Sequence, residues 1–423
     1  MIDLSHLRRD PDFFRRSWTN RGAAVEVEVL LALDAQVREL KTRVETTRAE
    51  QNTASKAIGQ AAKLGQDVNI AKEKSRILGE QVKQCDAERE MKERELTERL
   101  LVLPNPCLPT APVGKDSSEN PVVLVWGDKP TFAFAPKAHW DLGPALDIMD
   151  FDRATKISGS GFAVLKGAGA RLSRALISWF LDTHIGKGYT EFAVPYLVNR
   201  QTMQGTGQLP KFADQLYACK DDELLLIPTA EVPVTNLHAD EILDGATLPR
   251  KYCAHTPCFR REAGAAGIGT RGLTRVHQFD KVELVWMTTP ERSDNDLLQL
   301  RADAEALLQA LGLHYRVIEL VTGDTGFSSA HTFDLEVWSA GTNSWLEVSS
   351  CSSFTDFQAR RMNLRYRSDK TAKPVPLHTL NGSALALPRC LIAVLETYQQ
   401  EDGSVSIPDV LRPYMGGLSR IAK

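Results

Sequence analysis

The 423-residue sequence lacks the features that mark several large classes of protein. Its seven cysteines form no CxxC pair and no cluster with zinc-ligand spacing, so we expect neither a disulfide scaffold nor a zinc site. The first ten residues, MIDLSHLRRD, contain no apolar core for a signal peptide. No run of about 18 apolar residues suggests a membrane span. These absences predict a cytoplasmic protein with free thiols.

Phosphate-loop signatures are also incomplete. The glycines around Gly159–Gly161 and Gly167–Gly169 complete neither GxGxxG between a strand and a helix nor GxxxxGK[ST], and they are typical of a turn before a helix. A net charge of −3 argues against an indiscriminate nucleic-acid binder but leaves room for a local basic surface. The length and the ordinary composition, 43% hydrophobic and 25% charged, fit two or three globular domains.

A heptad seam is the first positive feature along the chain. Its ten positions alternate by three and four, and eight of them are apolar: Leu30, Leu33, Val37, Leu40, Val44, Thr47, Gln51, Ala54, Ile58 and Ala61. Such a seam needs a helical partner. A second, poorer seam follows a break at Gly65, has Arg89 and Lys92 at core positions and ends at Pro104. The pattern predicts an antiparallel coiled-coil arm.

The two arms of this hairpin are predicted as helices over about 28–63 and 68–103. They belong to a predicted N-terminal domain that spans residues 1–103. The distal half, from Arg48 to Lys83, carries 7 basic and 4 acidic residues. A solvated coiled-coil surface accounts for these charges. Contact with an RNA backbone is the sharper alternative, because structured RNA is recognised largely through shape and phosphate.

The rest of the chain indicates an α+β fold. Residues 104–130 are rich in proline, glycine and polar residues and predict a linker. Helices are predicted over 169–186 and 294–311. Strand patterns follow one another without regular alternation with helices, over 191–197, 223–227, 251–259, 281–287, 314–320, 331–337 and 346–350. This succession favours a mostly antiparallel sheet flanked by helices.

The stretch TPCFRREAGAAGIGTRGLTRVHQFDKVEL, residues 256–284, indicates a strand, a glycine-rich loop and a second strand. The loop region contains four arginines and four glycines: Arg260, Arg261, Arg271, Arg275, Gly264, Gly267, Gly269 and Gly272. Arginine forks suit phosphate oxygens, and glycines let the backbone approach a ligand closely. A plain hairpin with a solvated loop also fits this spacing, but it would not need Glu283 among apolar neighbours.

Three further segments contain candidate binding residues. In IPTAEVPVTNL, Glu231 lies among apolar residues and must be paired if it is buried, whereas Thr229 could instead cap a helix. In WLEVSS, the oxygens of Glu347 and Ser350 could hold Mg²⁺. In HTLNGSALALPR, a small-residue loop precedes a helix with Arg389 in its first turn, and a helix N-terminus beside an arginine suits a phosphate.

Taken together, these segments resemble the class II aminoacyl-tRNA synthetases. FRREAG, TRGL and HQFDKVEL resemble motif 2 in the form carried by seryl-tRNA synthetases, and NGSALALPR resembles motif 3. TAE resembles the family's serine-binding loop, and EVSS resembles its ATP- and metal-binding strand. The segment Lys166–Asn199 resembles motif 1, which implies a homodimer interface at Pro195. The resemblance spans nearly the whole chain and implies a catalytic domain over 131–423.

The resemblance implies a role for each matching residue on the serine side. Glu231 would take the ammonium group of L-serine, and Thr229 would contact it by a hydrogen bond. Glu283 would bind the serine side, Ser383 would contact the serine hydroxyl, and Arg260 would reach both substrates.

On the nucleotide side, Arg260 and Arg389 are implied as the catalytic residues. Arg260 would bind the α-phosphate of ATP and Arg389 the γ-phosphate, while Glu347 and Ser350 would hold Mg²⁺. The other implied ATP contacts are Arg261, Glu262, Arg275, Val276, Phe279, Val348 and Ser349. Ala384 and Pro388 depart from the family pattern, but a proline is acceptable in the first turn of a helix.

The implied activity is that of a seryl-tRNA synthetase, which forms seryl-adenylate and transfers serine to the 3′ end of tRNA(Ser), with tRNA(Sec) as a further candidate substrate. The family's arm grips the long variable arm of its tRNA. Two alternatives are a specialised relative that charges another carrier and an inactive coiled-coil dimer that binds RNA. The full-length arm argues against the first, and retention of the motif residues argues against the second.

Overall fold

A computed structural model of the chain describes residues 1–263 and 271–423. Gly264, Gly267 and Gly269 of the predicted phosphate loop lie outside the described residues. One compact unit comprises residues 2–19 and 23–103, and the other comprises residues 1, 20–22 and 104–423. In the described ranges, no helix has the length and apolar character needed to cross a membrane.

The secondary structure combines long helices with short and long strands. The helices are α1 (Leu4–Arg9), α2 (Pro11–Asn20), α3 (Val27–Lys63), α4 (Asn69–Leu101), α5 (His139–Ala145), α6 (Phe151–Ser158), α7 (Gly167–Gly186), α8 (Arg200–Gly205), α9 (Glu231–Thr235), α10 (Ser293–Ala310), α11 (Phe357–Arg361) and α12 (Leu387–Thr397). The strands are β1 (Val122–Trp126), β2 (Met149–Asp150), β3 (Val164–Leu165), β4 (Thr190–Glu191), β5 (Leu197–Asn199), β6 (Leu224–Leu226), β7 (Ile242–Asp244), β8 (Arg250–Phe259), β9 (Gln278–Thr288), β10 (Tyr315–Glu319), β11 (His331–Ser339), β12 (Ser344–Ser353), β13 (Arg365–Arg367), β14 (Val375–Pro376), β15 (His378–Ala386), β16 (Val405–Ser406) and β17 (Arg420–Ile421).

The helices α3 and α4 form the predicted antiparallel arm. The seam residues from Leu30 to Val44 are buried on α3, and Leu78, Val82 and Cys85 are buried on α4. Contacts across the hairpin run in antiparallel order, with Arg48 bonded to Asp86 at 3.0 Å and Ser55 Oγ 3.1 Å from Ser75 Oγ. The fold class predicted from the seam is therefore confirmed.

The two charged residues on the second seam are accommodated by ion pairs. The Arg89 guanidinium lies 2.9 Å from the Glu93 carboxylate, and Lys41 on the facing helix lies 2.8 Å from the same group. Lys92 pairs with Glu95 at 3.2 Å. Long side chains of this kind cover a seam with their methylene stems while the charges reach water.

The second unit, residues 1, 20–22 and 104–423, is built on an eight-stranded sheet in the order β1-β10-β11-β12-β15-β9-β8-β4. All neighbours are antiparallel except β4 and β8, which pair in parallel. Helices α7, α10 and α12 contribute Leu176, Leu300 and Ile392 to one buried cluster against the sheet. The mostly antiparallel α+β architecture predicted from the strand pattern is confirmed.

The segment predicted as a small-residue loop before α12 is instead the strand β15. It lies between β12 and β9 in the sheet. Small residues are needed there because a Cβ on Gly382 would lie 2.3 Å from Leu300 Cδ2 and 3.0 Å from Cys351 Sγ. The low side-chain volume reflects close packing against α10 and not a turn.

Two other segments differ from the predictions. Val122–Trp126, within the range predicted as linker, forms the edge strand β1 and pairs with β10. The predicted strand over 191–197 is only β4 and the start of β5, because Pro195 cannot donate to a ladder.

Candidate active site

A cavity of about 570 Å³ lies on the second unit and is lined by residues from three adjacent strands. These strands are β12, β15 and β9, and the segment that follows β8 and the first turn of α12 add further lining residues. Twelve residues predicted from sequence line it together: Thr229, Glu231, Arg260, Glu262, Arg275, Val276, Phe279, Glu347, Val348, Ser350, Ser383 and Arg389. Residues that are far apart in the chain therefore meet because their strands are neighbours.

Glu283 lies beneath one end of the cavity and is 1% exposed. Thr229 donates a hydrogen bond of 2.6 Å to Glu283 Oε2, and Asn381 donates one of 3.2 Å to Oε1. The ammonium group of Lys281, a residue that also lines the cavity, forms an ion pair with the same carboxylate. Glu283 is thus a buried but fully partnered charge that fixes the residues above it.

Glu231 is the second carboxylate at this end of the cavity, and it is 7% exposed. Gln358 donates a hydrogen bond of 2.6 Å to Glu231 Oε1, and Gln358 is itself held by Thr379 at 2.7 Å. Burial raises the pKa of Glu231 to about 7, and the neighbouring Glu283 carboxylate is the second cause. A cationic group placed here would relieve both effects.

Thr229 lies just before α9 and contacts both that helix and Glu283. The N-cap position of α9 is Ala230, but the Thr229 hydroxyl accepts a hydrogen bond of 3.3 Å from the Glu231 backbone N–H. Because the same hydroxyl donates to Glu283, it links the start of α9 to the strand β9.

Arg260 lies at the centre of the cavity, directly after β8. Its guanidinium lies over the Phe279 ring, with 5.1 Å between the guanidinium carbon and the ring centroid. Its Nε donates to the Pro228 carbonyl at 3.3 Å, and its backbone N–H donates to His277 at 2.9 Å. These contacts fix the Arg260 cation over the face of the Phe279 ring.

Arg389 supplies a second cation in the first turn of α12. Its Nη1 donates to the Glu347 carbonyl at 2.7 Å, and its Nε donates to the Thr274 carbonyl at 3.3 Å. Arg275 lies 3.4 Å from the Glu262 carboxylate at the rim. The cavity therefore joins the buried Glu231 and Glu283 carboxylates to several arginines, of which Arg275 and Arg389 each lie beside a further carboxylate. This arrangement suits an amino acid and a polyphosphate.

The oxygens of Glu347 and Ser350 face the same cavity from β12. Beside them on the same face of the sheet, Asp334 on β11 pairs in register with Ser350, and its buried Oδ1 has no hydrogen-bond partner among the described residues. Burial raises the pKa of Asp334, with the Glu347 carboxylate as the next cause. Glu347, Ser350 and Asp334 thus place two carboxylates and a hydroxyl close together. Oxygen ligands of this kind are the ones that Mg²⁺ requires.

Three predicted residues lie outside the lining. Arg261 is exposed and donates to the Asp214 carbonyl at 3.2 Å. Ser349 is buried and donates to the Ser383 carbonyl at 2.7 Å, so it supports β15 from behind. Glu283 supports Thr229 and Lys281 as described above.

Several residues of the site were not predicted from sequence: Lys281, Gln358, Asn381, Ser352, Phe354, Phe212 and Phe327. Lys281 lies two residues before Glu283 on β9, so the period-two alternation of a strand was the one signal that placed both on one face.

The fold and cavity of the second unit match a known class of protein. A family model described as "tRNA synthetase class II core domain (G, H, P, S and T)" matches residues 217–398, which contain most of the cavity. The chain is therefore a class II aminoacyl-tRNA synthetase. A second model, described as "Seryl-tRNA synthetase N-terminal domain", matches residues 1–107.

Whole-chain comparisons agree with both models. A serine--tRNA ligase of Nitratidesulfovibrio vulgaris (strain DSM 19637 / Miyazaki F) is 50% identical over 422 residues, covering 100% of this chain and 99% of the relative. The seryl-tRNA synthetase of Pyrococcus horikoshii, solved in complex with ATP, superposes with a TM-score of 0.93 at 37% identity and covers 100% of this chain and 99% of that one. The cytoplasmic enzyme of Naegleria fowleri, solved with AMP, gives 0.87 at 29% identity, with 98% and 96% coverage. The chain belongs to the seryl-tRNA synthetase family.

Proposed function

We propose that the cavity activates L-serine with ATP and that the chain, as a serine--tRNA ligase, transfers the seryl group to the 3′ end of tRNA(Ser). One observation supports this most strongly: Glu231, with Glu283 buried beneath it, lines a single cavity together with two arginines, Arg260 and Arg389. That arrangement can place an amino acid's ammonium group at one end and its carboxylate against the α-phosphate of ATP. A relative of the chain is named a serine--tRNA ligase, and a related structure was solved in complex with ATP.

The first step is attack of the serine carboxylate on the α-phosphate, which releases pyrophosphate and leaves seryl-adenylate. No protein nucleophile is needed, so the site acts by positioning and by neutralising charge. Arg260 contacts the α-phosphate and Arg389 the γ-phosphate, while Phe279 stacks beneath the adenine. Val276, Glu262, Arg275 and Val348 complete the nucleotide contacts.

Glu347 and Ser350 would hold Mg²⁺ on the phosphate chain. When bound, the ion lowers the charge repulsion within ATP. The Oδ1 of Asp334 beside them, which has no hydrogen-bond partner in the described part of the chain, supports an oxygen-rich cation site.

Serine itself is recognised through hydrogen bonds. Glu231 takes the ammonium group, with Thr229 beside it, and Ser383 contacts the serine hydroxyl. Glu283 acts from beneath by holding Thr229 and Lys281. A pocket that hydrogen-bonds a hydroxyl rejects alanine, because its buried polar groups would then go unpaired.

The arm and residues 1–103 form the tRNA-binding part in this proposal. The distal arm carries the 7 basic residues counted above against 4 acidic ones, and lysines at the tip such as Lys72 and Lys74 are exposed. Such charges would follow an RNA backbone, and tRNA(Sec) is a second candidate because recognition of this kind reads shape. We assign the homodimer interface to the region of Pro195, where Tyr196 and Leu197 are 43% and 45% exposed.

Serine-dependent exchange of pyrophosphate into ATP tests the activation step. The folded protein with Mg²⁺ and serine should exchange, and alanine should not support the reaction. An absence of exchange in a folded, Mg²⁺-supplied sample would favour the inactive RNA-binding alternative. Exchange without charging of a tRNA(Ser) transcript would favour a relative that loads another carrier.

A further inference from the structure

A buried pair, His139 and Glu396, lies behind the nucleotide end of the cavity and takes no part in the mechanism above. Both side chains are completely buried. His139 is the first residue of α5, and Glu396 lies near the end of α12. His139 Nδ1 lies 2.9 Å from Glu396 Oε1. A pair this deeply buried needs a full set of hydrogen bonds, so its partners indicate what it holds in place.

Four donors surround the Glu396 carboxylate. The backbone N–H of His139 donates to Oε1 at 2.9 Å, in addition to the ring Nδ1. The Ser339 hydroxyl and the Gly341 backbone N–H, the latter at 3.0 Å, donate to Oε2. Because all four groups donate, Glu396 acts purely as an acceptor, as an ionised carboxylate does.

The other ring nitrogen of His139 determines what the pair does. Nε2 accepts a hydrogen bond of 3.0 Å from the backbone N–H of Leu273. A nitrogen that accepts cannot carry a proton, so His139 is neutral with its proton on Nδ1, donated to Glu396. Glu396 thereby fixes the tautomer that lets His139 bind the main chain at Leu273.

The segment held in this way contributes directly to the cavity. Leu273, Thr274 and Arg275 all line it. The Thr274 carbonyl accepts from Arg389 Nε at 3.3 Å, so the position of this segment also sets the position of the arginine on α12.

Two neighbours add to the same anchor. Gly272 has φ +67°, and a Cβ there would lie 2.2 Å from His139 Nε2, so the backbone packs directly against the ring. The Arg271 guanidinium lies 4.8 Å from the centroid of the Trp140 ring, on the next residue of α5.

From these contacts we infer that His139 and Glu396 are positioning residues for ATP: the carboxylate fixes the histidine tautomer, and the histidine holds residues 272–275 in the geometry that binds the nucleotide. The inference depends on the proposed function for its substrate. It makes a distinct claim about serine, because in the described part of the chain the pair's side chains bond to each other and to Leu273, Ser339 and Gly341, and to neither Glu231 nor Glu283. Loss of the pair should therefore weaken ATP binding and leave serine binding nearly unchanged.

The direct test is spectroscopic and needs no activity. In protein labelled with ¹⁵N-histidine, the spectrum should show one buried, neutral His139 with a protonated Nδ1 and an unprotonated Nε2. The signal among the nine histidines is assigned by its absence in His139→Gln. A protonated Nε2 at His139 in the wild-type protein would overturn the inference, whatever the variants do.

Glu396→Gln tests the functional consequence with an isosteric change. A Gln amide keeps only one of the two acceptor oxygens, so its N–H₂ must face a backbone N–H, that of His139 or that of Gly341, and the four-donor set that holds the histidine in place is broken. We expect the KM for ATP in the exchange assay to rise about tenfold, the loss of roughly one hydrogen bond, and the KM for serine to change less than about twofold. Equal changes in both constants, or none, would contradict the inference.

The matched control is His184→Gln, because His184 is equally buried in the same unit and neither ring nitrogen has a partner among the described residues. It should leave the ratio of the two KM values unchanged. If the wild-type protein shows no exchange, the proposed function fails, and the tautomer measurement still tests the anchor. If Glu396→Gln does not fold, the wild-type spectrum decides.

Discussion

Serine binding should depend on pH through Glu231. Burial, and next the Glu283 carboxylate, raise the pKa of Glu231 to about 7 in the folded protein. Only the ionised form attracts the ammonium group of serine. One pH unit below that pKa about nine tenths of the group is protonated, so the KM for serine should rise about tenfold between pH 8 and pH 6.

The same shift has a defined sign for stability. The pKa rises from an ordinary value of 4.5 to about 7, so the folded state binds more protons than the unfolded state between these two pH values. The free energy of unfolding contributed by Glu231 is therefore fully present below about pH 4.5, declines as the pH rises through this window and levels off above about pH 7.

The assay is pyrophosphate exchange at saturating ATP, with the KM for serine measured from pH 6 to pH 8. Glu231→Gln provides the control, because it keeps the shape and the Gln358 contact but cannot titrate. Its KM should be higher at every pH and flat across the range. A wild-type KM that is equally flat would refute the reasoning, as would a slope that survives in the variant.

Three further outcomes follow from the structure. Arg260→Ala should lower exchange by at least about a hundredfold because a fixed cation at the reacting phosphate is lost, whereas Arg261→Ala, exposed and outside the cavity lining, should leave exchange nearly unchanged in the same assay. Removing positive charge from the arm tip should raise the KM for tRNA and flatten its salt dependence in aminoacylation, with exchange unaffected; an equal loss of exchange would argue against a tRNA-binding role. Leu176→Ala, with a completely buried side chain, should lower the free energy of unfolding by about 2–5 kcal/mol in denaturant titrations, whereas Ile185→Ala on the same helix, 43% exposed, should cost far less.

The sequence predicted best where a local pattern carries the structural information. The heptad seam predicted the buried face of α3. Residues three and four apart lie on one side of any α-helix, so this property does not depend on the rest of the fold. The strand pattern gave the α+β class for a similar reason. The small-residue segment at Gly382 was misread, because nothing local distinguishes a flexible loop from a strand that Leu300 packs against closely.

The candidate site was predictable only as far as its motifs extend. The strand register brings Lys281 and Asn381 to Glu283, and the packing of α11 brings Gln358 to Glu231; both are properties of the whole fold. His139 and Glu396 are 257 positions apart and form no spacing pattern, so only the fold reveals that they meet. Buried polar networks of this kind depend on tertiary contacts and leave little trace in a single sequence.

The most direct test of the account is charging of a tRNA(Ser) transcript by the purified protein with ATP, Mg²⁺ and labelled serine. The account predicts that serine becomes attached to the 3′ end of the transcript, that alanine is not attached, and that Arg260→Ala abolishes the reaction. A folded wild-type protein that attaches no serine to this tRNA would contradict the central claim.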